Sequence, residues 1–208
     1  LGMKNKKPRS GPGRPSSMED PYRMICDAAA ALFAEKGFDN TSLQDVATAV
    51  GVTKAGLYHY FRTKHALFEA IVLDTLRDLH AGAVAAIAAH DGYPDKLTAF
   101  MTAHARYFSE HGERYRASFF GRGGGGERAH LTPDERAMRK AYVQLLEGVV
   151  EAGVDAGTIT VSDVPTFARG VLGMLNWMAR WYRPDGRLTA AEIAESYAQI
   201  LLAGALPR

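Results

Sequence analysis

Side chains suited to a nucleic acid crowd into one stretch: Thr53, Lys54, Ala55, Gly56, Tyr58, His59 and Tyr60, with Lys64 four residues on. Lysine and arginine neutralise phosphates, hydroxyls and ring nitrogens meet base edges, and alanine and glycine let a backbone come close. That is binding chemistry rather than bond-making chemistry. No catalytic set gathers elsewhere. The seven histidines are scattered, H-E-x-x-H and G-x-S-x-G are missing, and the single cysteine, Cys26, has no second thiol. The chain is therefore expected to be no enzyme and to use no cofactor or metal.

Two short helices and a turn are needed to present these residues. Thr41 or Ser42 can cap the first helix, with Asp45 three residues beyond Ser42 as in a capping box. Leu43, Val46, Ala47 and Val50 recur at spacings of three and four, one face of a helix. Gly51 breaks it, because glycine tolerates the left-handed conformation of a tight turn. Val52 is expected to fill that turn from inside. Thr53 caps a second helix over 54–60, with Leu57 and Phe61 inward, and Thr63 caps a third element from Lys64. Two helices joined by a glycine-containing turn form a helix-turn-helix, whose second helix enters the major groove N-terminus first. In that frame Thr53, Lys54, Ala55, Gly56, Tyr58 and His59 face bases. Thr41 or Ser42, Tyr60 and Lys64 hold phosphates. On pattern alone, a helical hairpin with a solvated lysine and histidine is the plain alternative.

Residues 41–72, TSLQDVATAVGVTKAGLYHYFRTKHALFEAIV, resemble the DNA-binding signature of the TetR family of bacterial one-component repressors. The resemblance implies an all-α fold of about nine helices. It implies a three-helix helix-turn-helix DNA-binding domain over 19–63 and a helical ligand-binding and dimerisation domain over 64–208. The implied function is a ligand-responsive transcriptional repressor. It would bind a palindromic double-stranded DNA operator as a homodimer and be released by a small hydrophobic inducer. A second stretch, NWMARWYRPDG over 176–186 followed by LTAAEIAESYAQILLAGAL, is similar to the subgroup that represses fatty-acid, steroid and related catabolic genes and responds to acyl-CoA thioesters. A helical adaptor that binds only protein is the competing class, and it leaves Lys54, Tyr58, His59 and Lys64 without a task.

Composition agrees with a globular chain. Its 208 residues allow one or two domains, and 47% hydrophobic with 23% charged residues is ordinary for such a fold. One cysteine, no run of about 18 apolar residues, and a basic start followed by glycine and proline point to a reducing, cytoplasmic setting without a membrane. Charge is uneven: residues 1–64 hold ten Lys/Arg and six Asp/Glu, whereas residues 65–208 hold fifteen and seventeen. A basic head on a slightly acidic body suits phosphate binding. Residues 3–18 carry five basic residues and no acid. They read as a disordered basic tail or as an arm along DNA. Pro12-Gly13-Arg14-Pro15 resembles the Gly-Arg-Pro core of an AT-hook.

Beyond the head, periodicity and caps predict helices over 19–37, 64–89, 95–111, 113–120, 132–157, 163–182 and 189–204, with a turn over 91–94 and a glycine-rich surface loop over 121–126. Cys26 lies beside the first helix's apolar stripe and reads as a small core residue. The last two helices are apolar on two sides, with Leu172, Leu175, Trp177, Trp181 and Leu202 left over from the first stripe. A second apolar side asks for a partner, so these helices are expected to form a four-helix homodimer interface, a larger intrachain core being the alternative. Polar and aromatic residues that could line a pocket are His104, Tyr107, Phe119, Tyr142, Asn176 and Trp177. Arg114, Arg116, Arg122 and Arg139 are candidate partners for the phosphates of a CoA thioester. Core packing and a solvated face are the plain alternatives for these two sets.

Overall fold

The computed structural model describes residues 20–120 and 131–205, with the backbone alone for Ala205. The basic segment over 3–18, the glycine-rich segment over 121–126 and Arg122 lie outside the described residues. Within them the fold is all-α, in nine helices: α1 (Pro21–Lys36), α2 (Leu43–Val50), α3 (Lys54–Tyr60), α4 (Lys64–Ala88), α5 (Tyr93–Glu110), α6 (Gly112–Phe120), α7 (Pro133–Asp155), α8 (Val164–Trp181) and α9 (Ala190–Ala205). Among the described residues no helix is long and apolar enough to cross a membrane.

Short-range chemistry starts and stops these helices. Ser42 and Asp45 form a reciprocal capping box, with the Asp45 N–H donating to Ser42 Oγ at 3.1 Å and the Ser42 N–H donating to Asp45 Oδ2 at 2.8 Å. Thr53, Thr63 and Asp163 each accept a backbone N–H three residues on, at 3.1, 3.0 and 2.8 Å. Gly51 has φ +75°, the left-handed region. Its N–H donates to Thr48 O, and the Val52 N–H reaches back to Ala47 O at 3.0 Å, a Schellman termination of α2. This geometry carries the Val52 side chain outward, where it is 36% exposed rather than buried in the turn. The 91–94 turn is also shorter than expected. Tyr93 and Pro94 already belong to the first turn of α5, where proline's missing N–H costs no helical hydrogen bond.

Two apolar cores result. The first gathers Ile25, Ala29, Phe33, Val46, Leu57, Leu67 and Ile71, with Cys26 buried among them. The second gathers Leu97, Phe100, Met101, Leu146, Val171 and Leu175 from α5, α7 and α8. Two helices belong to both cores. α4 gives Phe68 and Leu76 to the first, Leu79 and Ala83 to the second. The nine-residue α6 gives Ala117 to the first and Tyr115 to the second.

The outer side of α8 and α9 differs from the sequence expectation in its members. Leu172 and Leu175 are buried in the chain's own core. Trp177, Trp181 and Ile200 are left uncovered at 62%, 45% and 66% exposure. Beside them Gly170, Gly173 and Gly204 face open space.

Candidate nucleic-acid interface and the cluster behind it

α3 is anchored by Leu57, which is fully buried, and presents its polar residues outward. Thr53, Lys54, Ala55, Tyr58, His59 and Tyr60 are exposed, and Gly56 is half-buried. Lys54 Nζ lies 5.6 Å from the Tyr58 ring centroid, a cation–π pair along one helix face. A Cβ on Gly56 would come within 3.3 Å of Thr53 Oγ1, so glycine leaves the cap room.

Two of the phosphate candidates are placed differently from the expectation. Thr41 is only 2% exposed, and its hydroxyl donates to Gly37 O at 2.9 Å. It closes the loop after α1 and presents no hydroxyl at the surface. Lys64 Nζ donates to Phe38 O at 2.6 Å and Asp39 O at 3.2 Å, and sits 4.4 Å from the Phe38 ring centroid. Its ammonium therefore braces the α1–α2 loop against the start of α4. Ser42 is exposed at the N-terminus of α2. Arg62, which the pattern did not single out, is exposed and lines a hollow of about 420 Å³ with Asn40, Ser42, Tyr58, Thr63 and Lys64. The amino ends of α2 and α4 both border this hollow, with the exposed guanidinium of Arg62 beside them, and helix amino ends together with a cation favour an anion. A cation flanking a helix cap was the available signal for Arg62.

In the body, His104, Tyr142 and Asn176 do come together, around a residue not singled out as a pocket member, Tyr115. His104 Nδ1 is 2.9 Å from the Tyr142 hydroxyl, and His104 Nε2 is 2.8 Å from the Tyr115 hydroxyl. Tyr115 in turn donates to Asn176 Oδ1 at 2.5 Å. That last bond sets the direction of the chain. Having spent its proton on Asn176, Tyr115 must accept from His104, so the imidazole carries its proton on Nε2 and accepts from Tyr142 at Nδ1. Burial holds His104 neutral, pulling its pKa down to about 3, and pushes both tyrosine hydroxyls well above their usual range. Phe119 stacks on Tyr115 at 4.4 Å.

The other candidates lie elsewhere. Tyr107 faces the α4 and α6 side, and burial pushes its hydroxyl up to about 12. Trp177 is on the outer face of α8, with the Arg180 guanidinium 5.2 Å from its ring. Arg114 turns away from the cluster and pairs with Asp27 of α1, so it is no free phosphate ligand. Arg116 is exposed, with its guanidinium folded back over Gly112. Arg139 donates to Ser118 O at 3.1 Å and lies 4.9 Å from the Phe119 ring. These arginines do not converge: Arg114 and Arg116, two positions apart on α6, point to different neighbours, and Arg139 reaches α6 from α7.

Comparison with known proteins gives one consistent result. Residues 90–205 match the family model described as "Tetracyclin repressor-like, C-terminal domain", and residues 25–71 match "Bacterial regulatory proteins, tetR family". The chain is 30% identical over 186 residues to the HTH-type transcriptional repressor KstR2 of Rhodococcus jostii, covering 86% of this chain and 88% of that protein. It superposes with a TM-score of 0.76 on the TetR family regulator PfmR of Thermus thermophilus, at 38% identity, covering 88% of this chain and 99% of the other. AibR in complex with isovaleryl coenzyme A and operator DNA aligns with a TM-score of 0.75 at 29% identity, covering 88% and 98%.

Proposed function

The chain belongs to the TetR family and is a helix-turn-helix transcriptional regulator rather than an enzyme; on that footing we propose that it is a cytoplasmic homodimeric repressor released from its operator by an acyl-CoA thioester. Residues 19–63 form the DNA-binding head and 64–208 the ligand-binding and dimerisation body. α3 enters the major groove. Lys54, Tyr58 and His59 read base edges there, with Thr53, Ala55 and Gly56 allowing close approach. Ser42, Tyr60 and Arg62 hold phosphates, and Lys64 keeps the loop beneath them in place. Two protomers joined through the outer faces of α8 and α9 set two α3 helices about one DNA turn apart, so the operator is a near-palindrome. The uncovered Trp177, Trp181 and Ile200 support this interface, since apolar side chains of that size gain most when a partner buries them.

The observation that carries ligand release is the double membership of α6. Tyr115 belongs to the body core and to the buried polar chain, while its neighbour Arg114 grips Asp27 of the head. A thioester carbonyl is an acceptor of the kind Tyr115 now satisfies through Asn176, so a ligand entering beside His104, Tyr142 and Phe119 competes for that proton. Displacing Tyr115 displaces α6, and with it the contacts that set the head's pose through α1 and α4. The ligand shifts the equilibrium by its preference for that displaced state. The AibR complex supports acyl-CoA as the ligand class. A mobility-shift assay on DNA upstream of the protein's own gene, with a panel of acyl-CoAs, tests it. The expected outcome is a retarded complex lost with one thioester. A complex indifferent to the whole panel overturns the ligand class, and no complex at low salt overturns DNA binding by this head.

A further inference from the structure

α6 is tied to α8 at two points. The first is the bond from the Tyr115 hydroxyl to Asn176 Oδ1. The second lies one helical turn further along α8, where the Arg180 guanidinium sits 4.8 Å from the ring of Phe120, the last residue of α6. Tyr115 and Phe120 are about 7.5 Å apart along α6, and Asn176 and Arg180 about 6 Å apart along α8, at 1.5 Å per residue. The two ties are therefore spaced alike on the two helices. One is polar and buried, the other is a cation on an aromatic ring.

Arg180 serves a second ring as well. Its guanidinium lies 5.2 Å from the ring of Trp177, three residues back on α8. Trp177 belongs to the uncovered outer face with Trp181 and Ile200. Arg180 is itself exposed and forms no ion pair with a described residue. Its charge is thus shared between two rings, one on α6 and one on the face assigned to the partner protomer. A guanidinium near a ring face is attracted by the ring's quadrupole, and the attraction grows when water is excluded. A second protomer covering Trp177 excludes that water. Association also favours an indole already held in place, because less side-chain freedom is lost. Phe120 keeps the guanidinium where Trp177 can use it. When α6 moves away, that support goes with it.

We propose that Arg180 is a positioning residue that makes the strength of the homodimer contact depend on the pose of α6. This rests on the α8–α9 homodimer reading and names its regulation. Displacing α6 loosens the contact, and by linkage assembly of the dimer holds α6 in place by the same factor. Two batches of the full-length protein, labelled at the amino terminus with a donor or an acceptor dye, are mixed, and subunit exchange is followed by energy transfer. The parent is compared with R180Q, Y115F, F120L, R180Q/Y115F and R180Q/F120L. Sedimentation gives the parent's oligomeric state, and melting curves show which variants are folded. R180Q is expected to exchange roughly three- to tenfold faster, the loss of a cation–π contact. Y115F and F120L release α6 from its polar and its aromatic tie. Both are expected to speed exchange when Arg180 is present and to add nothing in R180Q. F120L disturbs no buried hydrogen bond, so it carries the test if Y115F does not fold. Exchange of R180Q at the parent's rate overturns the proposal. So does an acceleration by F120L that is equal with and without Arg180, which would make Arg180 a plain surface contact. A parent that sediments as a monomer overturns the homodimer reading itself. A dimer whose exchange ignores F120L keeps that reading and removes only the tie to α6.

Discussion

Arg114 and Tyr115 are consecutive in α6 and serve opposite cores: Arg114 ion-pairs with Asp27 in α1, and Tyr115 hydrogen-bonds His104 of α5 and Asn176 of α8. Successive residues on a helix point about 100° apart, so a short helix wedged between two cores can hold both at once. Ser118 adds a third tie, donating to Thr75 of α4 at 3.1 Å. Among the described residues no other helix links the polar cluster of the body and the first helix of the head so directly.

Tyr115→Phe keeps the ring packing and removes the hydroxyl that accepts from His104 and donates to Asn176. A buried donor is then left unpaired, so unfolding free energy should fall by about 1–3 kcal/mol. Chemical denaturation measures it. A parent-like midpoint would mean that the chain carries no stability. The same variant should also respond less to inducer, since α6 is already released from its partner on α8.

The Arg114–Asp27 pair should act as a unit. Its arginine side chain is 9% exposed and its aspartate 61% exposed, so water screens one partner and not the other. Asp27→Ala leaves a nearly buried guanidinium without its carboxylate and should destabilise by about 1–3 kcal/mol, below the cost of a fully buried pair. Arg114→Met in the Asp27→Ala background should recover part of that loss. A double-mutant cycle that closes additively would show that the two residues are not coupled.

Lys64 and Arg62 should separate in salt titrations of operator binding. Arg62 is exposed and forms no ion pair with a described residue, and Arg62→Ala should reduce the slope of log affinity against log salt by about 1. Lys64 already donates to two backbone carbonyls. Lys64→Met should lower the melting temperature and weaken DNA binding with little change of slope. A full unit of slope lost in Lys64→Met would mean that its ammonium leaves the loop for a phosphate.

His104 makes stability depend on pH. Burial lowers its folded pKa to about 3, below the ordinary value of 6.5. The unfolded chain therefore binds a proton first as pH falls, and stability is lost downward from pH 6.5 towards the folded pKa. The steepest slope is about 1.4 kcal/mol per pH unit. His104→Phe should flatten the profile between pH 6.5 and 4. An unchanged slope would assign the acid sensitivity to other groups.

The helices and the head were legible in the sequence because their signals are local. A cap acts over three residues, as Ser42 on Asp45 and Thr53 on Gly56, and a Schellman turn needs only Gly51 and its neighbours. An apolar stripe likewise repeats every three or four residues, so each helix and its inner face follow from adjacent letters. Tertiary structure alone decided which polar residues meet. His104 finds Tyr142 across 38 residues, Tyr115 finds Asn176 across 61, and Arg114 finds Asp27 across 87. Those separations are bridged by helix packing, whose angles and offsets no local pattern encodes. The same reason buried Thr41, turned Lys64 inward onto backbone carbonyls and sent Arg114 to the head. A side chain's chemistry is written in its residue type, but its partner depends on which other surface arrives beside it.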